Sequence, residues 1–214
     1  MAPARAIATR EHVEQRLRDT APGGDPLDAW IARLTPEQPE PLRQHLPARF
    51  NRAAVMVPLV ERAEGLTVLL TQRASHLKNH PGQISFPGGK MEKHDKDLAH
   101  TALRETHEET GVVQNDVSLI RQITNTYIPP SNFLVHTFMG TVPFKPEFKK
   151  NHEVEKILEV SVSELLDERS LTTKKMATSY MKEIDIPCFQ LSNHVVWGAT
   201  AMMLSEIKDL LKSI

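Results

Sequence analysis

Residues 97–110 constrain the fold most, because they form a capped amphipathic helix flanked by apolar runs of strand character. Asp95 or Asp97 can cap its start, Ala99, Ala102, Leu103 and Thr106 give a stripe for the core, and Gly111 follows as the residue that turns the chain out. The same helix carries Glu105, Glu108 and Glu109 at i, i+3 and i+4. At about 100° per residue these carboxylates fall within about 100° of one face. Like charges that crowded repel, so a sequence that keeps them points to a bound cation. Hard oxygen ligands favour Mg²⁺ or Mn²⁺, ions suited to phosphoryl chemistry.

Strands surround this helix. Residues 53–60 are a continuous apolar run, as in a strand buried on both faces, and 66–71 form a second run after a Glu64-Gly65 turn. Residues 73–88 hold few apolar side chains, and so long a loop in a folded chain points to function. Strands are expected at 117–124 and 133–142 about a Pro129-Pro130-Ser131-Asn132 turn, and again at 153–160. A short helix at 163–168, a hairpin over 180–191 and a closing amphipathic helix at 195–211 complete the expectation. Residues 1–50, with short helices at 11–18 and 26–34 and then Pro36, Pro39, Pro41 and Pro47, look like a wrap-around extension to one domain at 51–214. One central helix between strands argues for mixed α/β with a mixed sheet, not an alternating doubly wound fold.

Composition narrows the partners. A net charge of −1 gives no global basic field for nucleic acid. No stretch of about 18 apolar residues offers a membrane span, and residues 1–10 do not read as a secretory signal. The lone Cys188 excludes an intrachain disulfide and favours a reducing compartment. The expected location is cytoplasmic, with a mitochondrial presequence the alternative because residues 1–10 are basic. The basic residues also change identity: 1–77 hold ten Arg and no Lys, 78–214 three Arg and thirteen Lys. That seam falls inside the long loop and suggests two coding histories; uniform codon usage along the natural gene would remove the idea.

Gly88-Gly89-Lys90-Met91-Glu92, Asp95 and then Arg104-Glu105-Thr106-His107-Glu108-Glu109-Thr110-Gly111-Val112 resemble the signature of Nudix hydrolases. That signature is Gly, five residues, Glu, seven residues, then Arg-Glu-apolar-x-Glu-Glu-x-Gly-apolar. Thr106 stands where an aliphatic residue is usual. Asp95 replaces the first Glu, and eight residues separate it from Arg104. The extra residue falls before Asp97, outside the glutamate spacing, and leaves the role of Asp95 open. Residues 69–89, Leu-Leu-Thr-Gln-Arg-Ala-Ser-His-Leu-Lys-Asn-His-Pro-Gly-Gln-Ile-Ser-Phe-Pro-Gly-Gly, resemble the motif that marks coenzyme A diphosphatases within the group, which tend to carry the same spacing change. Pro130-Ser131-Asn132-Phe133, Glu153-Val154 and the run from Trp197 to Ala201 are further echoes.

The resemblance implies a Nudix-type α/β/α sandwich with a mixed β-sheet. It also implies metal-dependent hydrolysis of coenzyme A, or its thioesters, to 4′-phosphopantetheine (or the acyl form) and adenosine 3′,5′-bisphosphate. Gly88 and Gly89 let backbone approach a phosphate or metal closely, and the family implies that a carbonyl here, at Gly89, joins the metal shell. Glu105 and Glu109, one turn apart, can chelate one ion, and Glu108 can share a second. Arg104, one turn before Glu108, can hold it by an ion pair. General-base help can come from Glu108, Glu109 or a carboxylate on another loop such as Glu153, and the sequence does not select among them.

Arg73, His76, Lys78 and His80 make a basic loop suited to several phosphates, including a 3′-phosphate. Gln83 and Ser85 can hydrogen-bond ligand or hold the loop. The expected partner is a small molecule, coenzyme A or a related nucleotide, with no nucleic acid or membrane partner; a homodimer is left open. His76 and His80 lack a third ligand for zinc. His107 reads as a surface residue or one that backs the metal ligands, Trp197 as core and Cys188 as packing. Two rival functions stand beside the first. One is hydrolysis of another nucleoside diphosphate compound such as NADH. The other is a silent nucleotide-binding module, whose usual sign, a lost metal glutamate, is missing.

Overall fold

A computed structural model describes residues 10–19, 49–142, 146–176 and 184–212. The described residues start with helix α1 (Arg10–Asp19), which covers the helix expected at 11–18. Then come β1 (Asn51–Arg62), β2 (Gly65–Arg73), β3 (Ile84–Ser85) and β4 (Gly88–Lys90), followed by the carboxylate helix α2 (Leu98–Thr110). After it come β5 (Ser118–Gln122), β6 (Thr126–Ile128), β7 (Phe133–Val142), β8 (Val154–Ser161) and the short α3 (Val162–Leu166). Strands β9 (Leu171–Met176), β10 (Ile184–Leu191) and β11 (His194–Val196) lead into α4 (Gly198–Lys212).

The main sheet has the order β3-β2-β1-β7-β5, with β4 also on β1, β6 on β7 and β8 on β2. The β1/β7 pair is parallel and the other pairs are antiparallel, so the sheet is mixed as expected. Alternation along β1 explains its continuous apolar run. Ala54, Met56 and Val60 face one core with Ala102 of α2, while Val57 and Leu59 face another with Leu17 of α1, Leu165 of α3 and Leu204 and Ile207 of α4. Helices therefore cover both faces, an α/β/α sandwich. A second antiparallel sheet, β11-β10-β9, adds Phe189 and Leu191 to the larger core.

Several expectations need correction. The loop at 73–88 contains the short strand β3 and runs into a second, β4, both recruited by pairing with β2 and β1 despite little apolar character. The strand expected at 117–124 is shorter, and β6 intervenes before a 3-10 turn at Pro129–Ser131 and left-handed Asn132. The helix at 163–168 stops at Leu166, with a separate 3-10 turn at Glu168–Ser170 whose start Asp167 caps. In the region expected to be a hairpin over 180–191, β10 pairs with the unforeseen β9 and with β11, and residues 177–183 lie outside the described set. The closing helix starts at Gly198, because β11 takes Val195 and Val196. The helix expected at 26–34 lies outside the described residues.

Candidate active site

Helix α2 is fixed at both ends. The Asp97 carboxylate accepts the His100 N–H at 2.7 Å, settling the cap in favour of Asp97 over Asp95. Gly111 takes φ +80°, and its N–H reaches the His107 carbonyl at 2.8 Å. Thr106, where the signature has an aliphatic residue, is fully buried and donates its hydroxyl to the Ala102 carbonyl at 2.7 Å. That bond lets a polar residue occupy an apolar position.

Strand β4 runs beside β1, with Gly89 opposite Ala54 and Gly88 opposite Val55. A Cβ at Gly89 would overlap the Glu105 carboxylate, and one at Gly88 would sit 2.5 Å from the Ala54 carbonyl. Space, not backbone conformation, demands both glycines, and it lets the glutamates reach the β4 backbone. The Gly88 N–H points at Glu109 Oε2 across 3.4 Å.

Arg104 uses its whole fork. Nε donates to Asp95 Oδ1 at 3.0 Å and Nη2 to Asp95 Oδ2 at 3.1 Å. Nη2 also reaches the Lys90 carbonyl at 3.2 Å, while Nη1 donates to Glu105 Oε1 at 2.8 Å and Glu108 Oε2 at 3.2 Å. The expected Arg104–Glu108 pair is present, but the dominant partner is Asp95. This carboxylate, with no side-chain exposure, also accepts the Glu92 N–H, the Thr101 hydroxyl and a contact from His100 Nδ1. Arg104 holds the Asp95 carboxyl far below the usual carboxylate range, with burial acting against it and the other donors helping. Asp95 stands six positions after Gly89, where the signature has its first Glu, but the sequence left its role open.

The three glutamates differ. Glu108 is half exposed, whereas Glu109 is 4 % exposed. Burial pushes Glu109 up to about 8, the Glu105 charge adds to the rise, and Arg73 and the Gly88 N–H act against it. Burial also raises Glu105, opposed by Arg104 and reinforced by Glu108 and Glu153. Glu153 thus lies within electrostatic reach of both Glu105 and Glu109, although it belongs to another segment.

Arg73, at the end of β2, acts on Glu109, and its Nε reaches the Asn79 carbonyl at 3.4 Å. Its N–H donates to the Gln83 carbonyl at 2.9 Å, and Gly82 N–H donates back to the Arg73 carbonyl at 3.1 Å, pinching the loop shut. Left-handed His80 (φ 55°) makes the bend. Lys78 and His80 are exposed on this loop. Gln83 closes the loop through its backbone, and the Ser85 hydroxyl lies 3.3 Å from that of Thr71, so it helps hold β3 to β2. Of the basic loop residues, Arg73 acts electrostatically on Glu109.

Among the described residues no three His, Cys, Asp or Glu side chains converge as a ready-made metal cage. An open cluster still suits Mg²⁺, which keeps several waters and takes few protein carboxylates. Two acids pushed up by burial and by neighbouring carboxylates, beside backbone that a Cβ would block, fit a hard divalent ion. Among the described residues no helix is long and apolar enough to cross a membrane.

Comparison with known proteins agrees with this geometry. The NUDIX domain family model matches residues 50–180. The protein "Uncharacterized Nudix hydrolase NudL" of Yersinia enterocolitica serotype O:8 / biotype 1B (strain NCTC 13174 / 8081) is 38 % identical over 192 residues, 86 % of this chain and 92 % of that protein. Its namesake in Yersinia pestis (strain Pestoides F) is 31 % identical over 86 % of this chain and 94 % of its own length. Among solved structures, the Nudix hydrolase RenU from M. smegmatis superposes with a TM-score of 0.55 at 15 % identity, covering 77 % of this chain and 87 % of that one. A MutT/nudix family protein from Enterococcus faecalis gives 0.52 at 16 %, covering 97 % and 76 %. Those two likenesses concern the fold. The chain belongs to the Nudix hydrolases, diphosphatases that act on the phosphorus anhydrides of nucleoside diphosphate compounds and generally depend on a divalent metal.

Proposed function

We propose that this enzyme hydrolyses the diphosphate of coenzyme A and its thioesters, yielding 4′-phosphopantetheine or its acyl form and adenosine 3′,5′-bisphosphate. The observation that carries the reading is the loop at 74–83, pinched at its base and bearing Lys78 and His80 as exposed basic groups, with Arg73 set against Glu109. A substrate with a diphosphate and a separate phosphate needs cations on both sides of the scissile bond. Arg73 supplies one next to the glutamates, and the loop offers others farther out.

Glu105, Glu108, Glu109 and the Gly89 carbonyl would hold Mg²⁺ or Mn²⁺. When bound, the ion neutralises diphosphate charge and acidifies a water. Arg104 sets the geometry of Glu105 and Glu108 through its paired hydrogen bonds. Glu153 serves as general base: Arg104 ties Glu105 and Glu108, burial pushes Glu109 up, and Glu153 adjoins the cluster from a separate segment. Water adds to one phosphorus, the bridging P–O bond breaks, and its electron pair leaves on the departing phosphate. The activity belongs in the cytoplasm, on a small-molecule substrate, without a nucleic-acid or membrane partner.

The test is product identification after incubation with coenzyme A and Mn²⁺. Adenosine 3′,5′-bisphosphate in stoichiometric yield supports the assignment. Faster turnover of NADH than of coenzyme A overturns the substrate. No product from either substrate points to a silent module.

A further inference from the structure

Glu153 lies in the segment between β7 and β8, and several independent contacts fix its place. Farthest from it, Phe148 packs against the core under α2, with the Arg62 guanidinium 5.7 Å from its ring centroid. Next, the Lys149 N–H donates to the Thr110 carbonyl at 2.8 Å, at the C-terminal end of the carboxylate helix. A Cβ at Gly111 would stand 2.8 Å from that Lys149 nitrogen, so the helix cap and this segment meet without room for a side chain. Lys150 Nζ folds over to the Val154 carbonyl at 3.2 Å. Asn151 Oδ1 then accepts the Glu153 N–H at 2.9 Å, a side chain capping the backbone two residues on. Finally the Glu153 carbonyl accepts the Ala74 N–H at 2.8 Å, joining the segment to the base of the basic loop.

The strand that follows is irregular at the same point. Gln72 pairs with Lys156 and Arg73 with Val154, so Glu155 is extra and β8 bulges opposite Arg73. Bulges beside active sites re-aim side chains. Here the bulge separates the regular alternation of β8 from the turn that carries Glu153.

We infer that Asn151 is a positioning residue for the hydrolytic reaction: its side-chain carbonyl holds the turn that presents the Glu153 carboxylate to Glu105 and Glu109. The inference rests on the reading of Glu153 as general base. The clasp of Lys149 on Thr110 makes α2 the reference for this turn, so the base and the glutamates are registered against one helix. Asn151 itself touches neither substrate nor metal in this scheme. Aspartate keeps an oxygen at the same place to accept the N–H, whereas alanine leaves the turn without its cap.

The test uses the full chain with coenzyme A and Mn²⁺. Asn151→Ala is expected to lower kcat about tenfold while KM stays within about twofold, since displacing a catalytic group costs rate more than binding. Asn151→Asp is expected to recover most of that loss. In a Glu153→Gln background, itself slowed by about 10²-fold or more, Asn151→Ala is expected to cost nothing further. Independently of turnover, amide exchange at Glu153 in metal-free protein should quicken in Asn151→Ala and stay slow in Asn151→Asp. Glu153→Gln slow but Asn151→Ala at full kcat overturns the positioning role alone. Equal losses from Asn151→Ala in both backgrounds do the same, because they mark a general structural effect. Full activity in Glu153→Gln overturns the base reading, and this inference with it.

Discussion

Asp95 and Glu109 are both buried acids near one helix, and the protein treats them in opposite ways. Asp95 meets two nitrogens of Arg104, a backbone N–H, a hydroxyl and an imidazole, and its carboxyl is held far below the usual range. Glu109 has one long contact, from the Gly88 N–H, and is pushed up to about 8 by burial and by Glu105. The first is a satisfied internal ion pair, and such pairs fix geometry. The second is an acid that the fold alone compensates poorly and favours in its protonated form, as suits the metal ligand proposed above. A scaffold acid and the proposed ligand acid are thus distinguished by how completely the protein satisfies them, not by burial.

Substitutions should separate the two sharply. Glu109→Gln removes a hard ligand while keeping shape, and turnover should fall by about 10²- to 10³-fold. Equal activity of this variant across a metal titration would contradict the ligand role. The same change should leave the metal-free fold as stable or more so, because it removes a carboxyl that must take up a proton at a cost to be buried at neutral pH. Asp95→Asn should do the reverse. It turns an amide N–H₂ toward the guanidinium and leaves Arg104 buried without its main counter-charge, a loss of about 3 kcal/mol. For a chain this size that lowers the melting temperature by about 6–12 °C. Thermal denaturation at pH 7 without metal checks both signs.

The contrast extends to pH. Glu109 moves from 4.5 unfolded to about 8 folded, so between those values the folded state binds more protons than the unfolded one. Stability of the metal-free enzyme should therefore fall as pH rises through that window. Asp95 contributes in the opposite sense: its stabilisation is complete above the ordinary value of 3.8 and is lost only in stronger acid. A melting series from pH 5 to 8 with chelator should show a decline of several degrees, flattened in Glu109→Gln. A flat series in the unmodified chain would refute the crowding of Glu109.

Much of this was legible in the sequence because it depends on local spacing. The helix, its Gly111 terminus and the i, i+3, i+4 glutamates follow from a 3.6-residue period, and the apolar run of β1 announced a strand covered on both faces. The role of Asp95 was not legible, since the extra residue before the helix broke the expected count and only folding returned the carboxylate to Arg104. Strands β3 and β4 were missed because they exist through pairing, not through apolar pattern. Glu153 was named, but Asn151 was not, because a side chain capping a turn two residues away has no distinctive spacing until the turn is seen. Ser85 was assigned either to ligand or to loop, and its hydroxyl contacts that of Thr71 across β2 and β3.

The smallest expected effect bears on the loop, where the comparison becomes one between cations. Arg73 is tethered to Asn79 and acts on Glu109, whereas Lys78 is exposed. Arg73→Ala removes a positioned fork, and if that fork meets the 3′-phosphate, KM for coenzyme A should rise about tenfold while KM for the 3′-dephospho form changes little. Lys78→Ala removes a solvated charge whose contribution is screened, so its effect should stay within about threefold and fade at high salt. Equal rises for both substrates in Arg73→Ala would move Arg73 from the 3′-phosphate to the diphosphate itself. Its electrostatic link to Glu109 already makes that the natural second position, and the ratio of the two KM values decides between them.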